Sequence, residues 1–246
     1  MDVMAYLERI SVNEQSETAL DFLTKLQRHH MESIPFENLD VTRKVEIKLN
    51  VSSFYHKIIE KQRGGFCYEL NGLFQQLLTN LDFQSHLISC TVNKQNGWAK
   101  PNTHAAIIVT LDKPYLVDVG FGDSVRQPLP LSGKERTDVS GTYRVLKNDD
   151  GLFDLQKLDN GEWKILYRFS DEMRKLEDFS EGCQYNQTSP DSTFTHGDIV
   201  TIATEFGRIT LSDLTVTVTK NGEKEKWDIT EGEKIKFIEK HFQIKL

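Results

Sequence analysis

The sequence predicts an α+β chain, helical first, β-rich in the middle and mixed at the end, and three observations carry that prediction. Leu70, Leu73, Phe74, Leu77, Leu78 and Leu81 recur at the spacing of an amphipathic helix and make one apolar stripe. After Asp82 the hydrophobic period changes towards two, with β-branched runs divided by turn residues. From Ile199 onward, further runs of this kind lead into a helical pattern that closes the chain. No repeat, low-complexity tract or flexible linker interrupts the 246 residues, a length that suits one large domain or a few small layers sharing cores.

Taken in order, Ser11 and Glu14 have the spacing of a capping box, and Ala19, Phe22, Leu23, Leu26 and His30 follow at helical spacing, so a first helix is expected here. Phe54, Ile58 and Ile59 mark a shorter second helix, stopped at Gly64-Gly65, where positive φ brings no Cβ clash. The third helix carries the Leu70–Leu81 stripe. Strands are expected at His86–Val92, His104–Thr110, Tyr115–Val119, Thr142–Leu146, Leu152–Leu158 and Lys164–Phe169. Their separators, Asp112-Lys113, Asn148-Asp149-Asp150-Gly151 and Asp159-Asn160-Gly161, favour tight turns, which makes this region an antiparallel meander or barrel. Asp171 to Phe179 reads as one further helix. Strands return at Ile199–Thr204, Gly207–Leu211, Leu214–Thr219 and Lys226–Ile229, with the charged stretch from Asn221 to Lys226 as a solvated hairpin. Thr230 and Glu233 form a second capping-box pattern ahead of a last helix that ends near Phe242.

Composition excludes several functions. Lys and Arg number 30 against 37 Asp and Glu, a net charge of −7, which disfavours nucleic acid and anionic membrane surfaces as partners because both need a clustered positive face. The longest run free of Asp, Glu, Lys and Arg is Leu70 to Leu81, far short of the roughly 20 residues that cross a bilayer. The opening MDVMAYLERI lacks the basic start and apolar centre of a signal peptide, so a cytoplasmic protein is expected. The three cysteines, Cys67, Cys90 and Cys183, are odd in number and fit neither a disulfide framework nor a zinc-site spacing, so no metal is expected.

Cys67 stands out because it lies in the first turn of the stripe helix, on its inward face. Unpaired N–H groups and the positive end of the helix dipole favour a thiolate there, the better nucleophile. Its alternative is a small buried hydrophobe, the reading kept for Cys90 in an apolar strand and Cys183 in a loop. A cysteine nucleophile needs a base, and the base an orienting group. His29, His30, His56 and His241 sit within helices and read as structural or solvated, whereas His104 opens the strand Ala105–Val109 at an edge or cleft-facing position. Asp118 interrupts the apolar Tyr115–Val119 strand, where a carboxylate is costly unless paired. A two-residue turn at Asp112-Lys113 would put His104 and Asp118 on opposite faces, whereas a three-residue loop, Leu111–Lys113, or a bulge puts them on one face. The longer loop is expected. Gly120-Phe121-Gly122 follows directly, a turn able to offer backbone N–H groups to a phosphate.

Ile34-Pro35-Phe36-Glu37-Asn38-Leu39, Arg63-Gly64-Gly65-Phe66-Cys67, the His104 strand and Val117-Asp118-Val119-Gly120-Phe121-Gly122 resemble the arylamine N-acetyltransferase family, and the likeness continues through Tyr185–Pro190 and Gly207–Leu211. The resemblance implies a helical N-terminal domain carrying the nucleophile at 1–83, a β-barrel domain carrying His and Asp at 84–190, and an α/β C-terminal lid at 191–246, with a catalytic core similar to papain-like proteases and transglutaminases. It implies Cys67 as nucleophile, His104 as base and Asp118 as orienting group in a ping-pong transfer of acetyl from acetyl-CoA to an arylamine, arylhydroxylamine or hydrazine, typically in xenobiotic metabolism. Phe36 and Phe121 match positions lining the aryl slot, and Gly120, Gly122 and Thr204 positions near CoA. Asn186 takes a place where the family commonly has His. Glu37 and Arg63 are expected to pair and hold the helix start under Cys67. Two rival readings use the same residues: a papain-like or transglutaminase-like thiol hydrolase, and a non-catalytic binder of CoA or an aromatic ligand.

Overall fold

A computed structural model describes residues 1–13, 18–94 and 97–246. Its first layer is helical: α1 (Val3–Arg9), α2 (Ala19–Ser33), α3 (Leu39–Thr42), α4 (Val51–Tyr55) and α5 (Cys67–Asn80), with a short strand β1 (Phe36–Glu37) between α2 and α3. Helix α1 has no counterpart in the apolar periodicity. Asp2 caps it, Oδ1 accepting from the N–H groups of Met4 at 2.9 Å and Ala5 at 3.2 Å. Ser11 lies in the turn after α1 at φ +55°, so it does not cap the next helix, and its capping-box partner Glu14 lies outside the described residues. Thr18 caps α2 instead, accepting from Asp21 N–H at 3.1 Å. The second expected helix is α4 running into a π-helical turn at His56–Glu60.

Helix α5 is the centre of this layer. Every residue from Cys67 to Phe74 is buried, together with Leu77 and Leu78, so neighbours cover it on all sides rather than along one stripe. His30 of α2 packs edge-on against Phe74, ring centres 5.1 Å apart, and Tyr6 of α1 meets His30 Nδ1 at 2.8 Å. Burial raises Tyr6 well above the ordinary phenol range, so its hydroxyl is the donor in that bond. Burial, assisted by Arg9, lowers His30 to about 3.

The strands β2 (Gln84–Lys94), β3 (Gly97–Trp98), β4 (His104–Thr110), β5 (Pro114–Val117), β6 (Leu129–Pro130), β7 (Arg136–Asp138), β8 (Gly141–Lys147), β9 (Phe153–Asp159) and β10 (Glu162–Phe169) form an antiparallel sheet in the order 6-5-4-2-10-9-8-7, with β3 paired to β2. A bulge between Ile165 and Tyr167 bends β10, and β6 comes beside β8, so the sheet curls nearly shut around Ile88, Ile108, Leu116, Val145 and Leu155. Helix α6 (Ser180–Thr188) follows, preceded by a 3₁₀ turn at Leu176–Phe179. The helix expected at Asp171–Phe179 therefore starts nine residues late, at Ser180, and Cys183 sits buried within a helix rather than in a loop. Lys175 N–H bonds Asp178 Oδ2 at 2.8 Å, which stops the leading residues at a capped 3₁₀ turn.

Strands β11 (Ile199–Thr204), β12 (Gly207–Ser212), β13 (Thr215–Lys220) and β14 (Glu223–Asp228) build a second sheet, and α7 (Glu231–Phe242) covers one of its faces. Asn221 and Gly222 close the last hairpin, both at positive φ, as a type I′ turn requires. The period of two is clean. Val200, Leu211 and Val216 turn towards Ile238 and Phe242, whereas the cross-strand row Thr201, Thr210 and Thr217 turns the other way.

Two devices join this sheet to the rest. Strand β1 adds to its edge, Phe36 opposite Thr201 and Glu37 opposite Val200, so the helical segment supplies a strand that its own periodicity does not announce. Buried Arg126, in the loop after β5, donates to the carbonyls of Thr204 and Gly207 and to Ser140 Oγ. No helix among the described residues is long and apolar enough to cross a membrane.

His30 makes the fold acid-sensitive. Its folded pKa, about 3, lies below the ordinary 6.5, so the unfolded chain binds a proton that the folded chain refuses. Stability should hold above about pH 6.5 and fall as pH drops from there, by up to about 1.4 kcal/mol per pH unit from this one group. Urea unfolding of the wild type and His30→Gln across that range should show a shallower slope in the variant; equal slopes would reject the assignment.

Candidate active site

The site begins with the close packing under α5. Gly64 and Gly65 do not have positive φ, contrary to the expectation for them; they are small because other groups fill the space. A Cβ on Gly64 would lie 2.2 Å from the Pro35 carbonyl oxygen, and one on Gly65 would lie 2.9 Å from Glu69 Cβ. The segment then enters α5 with Glu69 Oε2 accepting from Phe66 N–H at 3.0 Å. An ionic cluster supports this corner. Arg63 grips both oxygens of fully buried Glu37, at 2.8 and 3.0 Å, and reaches Asp40 at 2.9 Å. Lys57 joins Asp40 at 2.8 Å to Glu69 at 3.0 Å. Burial alone would lower the Lys57 ammonium, but Glu69, Glu37 and Asp40 outweigh it and raise its pKa.

On this base Cys67 opens α5, almost fully buried, its Sγ 3.9 Å from the Thr103 carbonyl oxygen. That carbonyl also accepts from Asn186 Nδ2 of α6 at 3.0 Å, so Asn186 is part of the site.

The hairpin of β4 and β5 has the three-residue loop Leu111–Lys113, since Thr110 pairs with Pro114 and Ile107 with Val117. His104 and Asp118 therefore share a face. Strand β4 is interior, not an edge, but pairing with β5 stops at Ile107, which leaves His104 open on that side while Cys90 of β2 pairs with it on the other. His104 Nε2 lies 2.7 Å from Asp118 Oδ2, which directs the other ring nitrogen away from the carboxylate and leaves it for the thiol side.

Asp118 takes three further hydrogen bonds: from Tyr167 OH at 3.0 Å, Asn71 Nδ2 at 2.9 Å and Gly120 N–H at 2.8 Å. Burial pushes its carboxyl up, but His104, Asn71 and Gly120 prevail and hold it below the usual carboxylate range. The same balance runs through His104. Burial lowers it, yet the Asp118 charge and hydrogen bond, with the Cys67 thiol beside it, raise it to about 10. Phe121 and Tyr167 box the imidazole, ring centres 5.3 and 5.2 Å away.

Cys67 and His104 open onto a cavity of about 460 Å³. Phe36, Phe121 and Phe194 give it an apolar side, and the outward face of the second sheet gives it a polar one, including Thr201, Thr210, Thr217 and Arg208. Of the turn glycines, Gly120 and Gly122 both line it, but Gly120 serves the packing: its N–H is committed to Asp118, and a Cβ there would lie 2.8 Å from Cys67 Cα. Gly122 sits at φ +91°, a conformation suited to glycine.

Thr204 does not line the cavity. On β11 it has the opposite parity to Thr201, which does, and its carbonyl is held by Arg126. Sequence reasoning had no role for Asn71, Tyr167 or Arg208. Asn71 could have been flagged as a polar residue beside the apolar stripe of a core helix; Arg208 lies within the Gly207–Leu211 likeness, which assigned it no role, and Tyr167 carries no local signal.

Comparison with known proteins identifies relatives of the whole chain. A family model described as N-acetyltransferase matches residues 19–246. The chain is 34% identical to an arylamine N-acetyltransferase of Gallus gallus, pineal gland isozyme NAT-10, over 86% of this chain and 81% of that one. Among solved structures, an arylamine N-acetyltransferase from Bacillus cereus with a Cys-His-Glu catalytic triad superposes at TM-score 0.93 and 27% identity, covering 100% of both chains. One from Mycobacterium marinum in complex with CoA does so at TM-score 0.91 and 30% identity, over 99% of this chain and 93% of that one.

The His104–Asp118 pair carries a pH signature opposite to that of His30. Because His104 is raised from the ordinary 6.5 to about 10, its stabilisation is complete below about pH 6.5 and is lost as pH rises through about 10. Unfolding free energies measured over that alkaline range should decline in the wild type and stay flatter in Asp118→Asn; a parallel decline in both would disprove the pairing.

Proposed function

The chain belongs to the N-acetyltransferase family that holds the arylamine N-acetyltransferases, and on that premise we propose that it moves an acetyl group from acetyl-CoA to an arylamine, arylhydroxylamine or hydrazine by way of Cys67. The observation that carries the reading is that the Cys67 thiol stands beside the His104–Asp118 pair, with Cys67 and His104 both lining a part-aromatic cavity.

In the first half-reaction the Cys67 sulfur attacks the thioester carbonyl of acetyl-CoA. The tetrahedral oxygen meets N–H groups of the first turn of α5, which a helix leaves unpaired. The C–S bond to CoA breaks, the CoA sulfur takes the proton held by His104, and acetyl-Cys67 remains. One thioester replaces another, so the step is nearly balanced in free energy. In the second, the amine nitrogen attacks that carbonyl, His104 takes the N–H proton, and the C–S bond to Cys67 breaks to release the amide. Asp118 keeps the imidazole oriented and stabilises its charged form in both halves.

The aromatic edges of Phe36 and Phe121 suit an aryl ring, and an arylamine, mostly neutral near pH 7, needs an apolar slot more than a charge. Gly122 is proposed as part of the CoA path, with Gly120 acting through packing and Thr204 placed outside it. The division of labour among segments 1–83, 84–190 and 191–246 belongs to the proposal too. Supporting it, α5 supplies the thiol, β4 the imidazole, the residue that follows β5 the carboxylate, and the second sheet a wall. A cytoplasmic setting and a part in xenobiotic metabolism complete it; three unpaired cysteines suit a reducing compartment.

Intact-mass analysis after acetyl-CoA alone should find one acetyl group added, lost on addition of an arylamine and absent in Cys67→Ala. Asp118→Asn should cut turnover on the order of 10⁴-fold. Peptide or amide cleavage without an acetyl adduct would assign the site to a thiol hydrolase instead.

A further inference from the structure

The polar wall of the cavity contains a buried cation that the acetyl transfer does not use. Arg208 of β12 is 9% exposed and lines the same cavity as Cys67. A guanidinium carries five N–H donors in a rigid fork. Here Nη1 donates to Thr201 Oγ1 at 2.9 Å, Nε stands 3.4 Å from Asp123 Oδ1 without the alignment of a hydrogen bond, and Nη2 has no partner among the described residues. A donor buried in that way costs stability unless something accepts from it. Asp123 is a poor answer, since its side chain is 61% exposed and Lys157, 3.7 Å away, competes for it.

The neighbours extend the site. Arg208 stands opposite Thr219 on β13, and Thr219 opposite Lys224 on β14, so a cation, a hydroxyl and a second cation stand in one row on the cavity side of the sheet. Arg208, Lys224 and Lys94 outnumber Asp123 among the charged side chains that line the cavity, so its balance is positive. A planar fork with a free N–H matches a carboxylate or a phosphate.

We propose that Arg208 is a specificity-determining residue that binds an oxyanion carried by one of the two substrates, either a carboxylate on the acceptor ring or a phosphate of the donor, with Thr219 and Lys224 as its flank. The proposal rests on the acetyl-transfer reading of Cys67. It adds a charged determinant to a slot otherwise described as aromatic, and predicts that the enzyme distinguishes substrates by an anionic group remote from the reacting carbonyl.

The test compares wild type with Arg208→Gln on two matched pairs. 4-Aminobenzoate and 4-aminobenzamide differ in the acceptor's carboxylate, which becomes a neutral amide; S-acetyl-N-acetylcysteamine keeps the thioester end of acetyl-CoA and lacks its phosphates together with the pantoate and adenosine. If the acceptor carries the anion, KM for 4-aminobenzoate should rise by about 30-fold or more while the benzamide is unchanged. If the donor carries it, KM for acetyl-CoA should rise by a similar factor while the phosphate-free thioester is unchanged. Equal changes across both pairs, or none, overturn the proposal. Should Arg208→Gln not fold, Arg208→Lys keeps the charge but loses the fork, and the same selectivity at smaller amplitude is expected. Calorimetric binding of 4-aminobenzoate and CoA to both proteins reads the oxyanion site without turnover, so an absence of acetyl transfer would count against the proposed function and not against the site.

Discussion

The buried carboxylate of Asp118 is the constraint around which the rest is arranged. A charge in the interior is expensive unless every lone pair finds a donor, and this one finds four, from His104, Asn71, Tyr167 and Gly120. Those donors come from four parts of the chain: β4, α5, β10 and the turn after β5. Meeting the demands of one carboxylate therefore brings the helical layer, the centre of the curled sheet and a more distant strand to one point. Asn71 extends the connection, since its Nδ2 also donates to the Ala105 carbonyl at 2.7 Å and its Oδ1 accepts from Val119 N–H at 3.0 Å. The residues that hold the imidazole in place are also the ones that join the layers, so the geometry of the candidate site and the stability of the fold rest on the same hydrogen bonds.

A second ionic group does the same for the thiol from below. Arg63, Glu37, Asp40, Lys57 and Glu69 surround the start of α5, and their mutual pairing makes an otherwise costly cluster of partly buried charges tolerable. Glu37 also belongs to β1, which bonds Gly65 on one side and β11 on the other. The cluster thereby fixes the distance between the cysteine turn and the wall of the second sheet, and with it the width of the cavity. Arg126 performs the matching task from the barrel side through the β11–β12 turn.

Much of this was legible in order along the chain. The α5 stripe, the hairpin strands, the final capped helix, the His104–Asp118 parity and the Glu37–Arg63 pair all follow from periods, turn residues and charge balance, which are local or nearly so. What was missed has a common cause. Helix α1 depends on an Asp2 cap and on burial of Tyr6 rather than on a long stripe. The Gly64-Gly65 pair read as a turn, because a sequence records the absence of a side chain but not which neighbour fills the space. Gly120 read as a phosphate donor for the same reason. Thr204 and Thr201 are chemically alike, and only strand register decides which one faces the cavity.

The sequence by itself determined the order of helices and strands, the presence of a cysteine at a helix start, and a histidine and an aspartate brought to one face by a three-residue loop, because each depends on spacing along the chain. The tertiary structure alone decided that Asn71 and Tyr167 complete the bonding of Asp118, that β1 joins the second sheet, and that Arg208 lies buried in the wall of the cavity with an unmet donor. These depend on which surfaces are excluded from water together. That is set by packing between segments more than a hundred residues apart, such as Phe36 and Phe194 or Tyr68 and Asn186, and no local pattern encodes it.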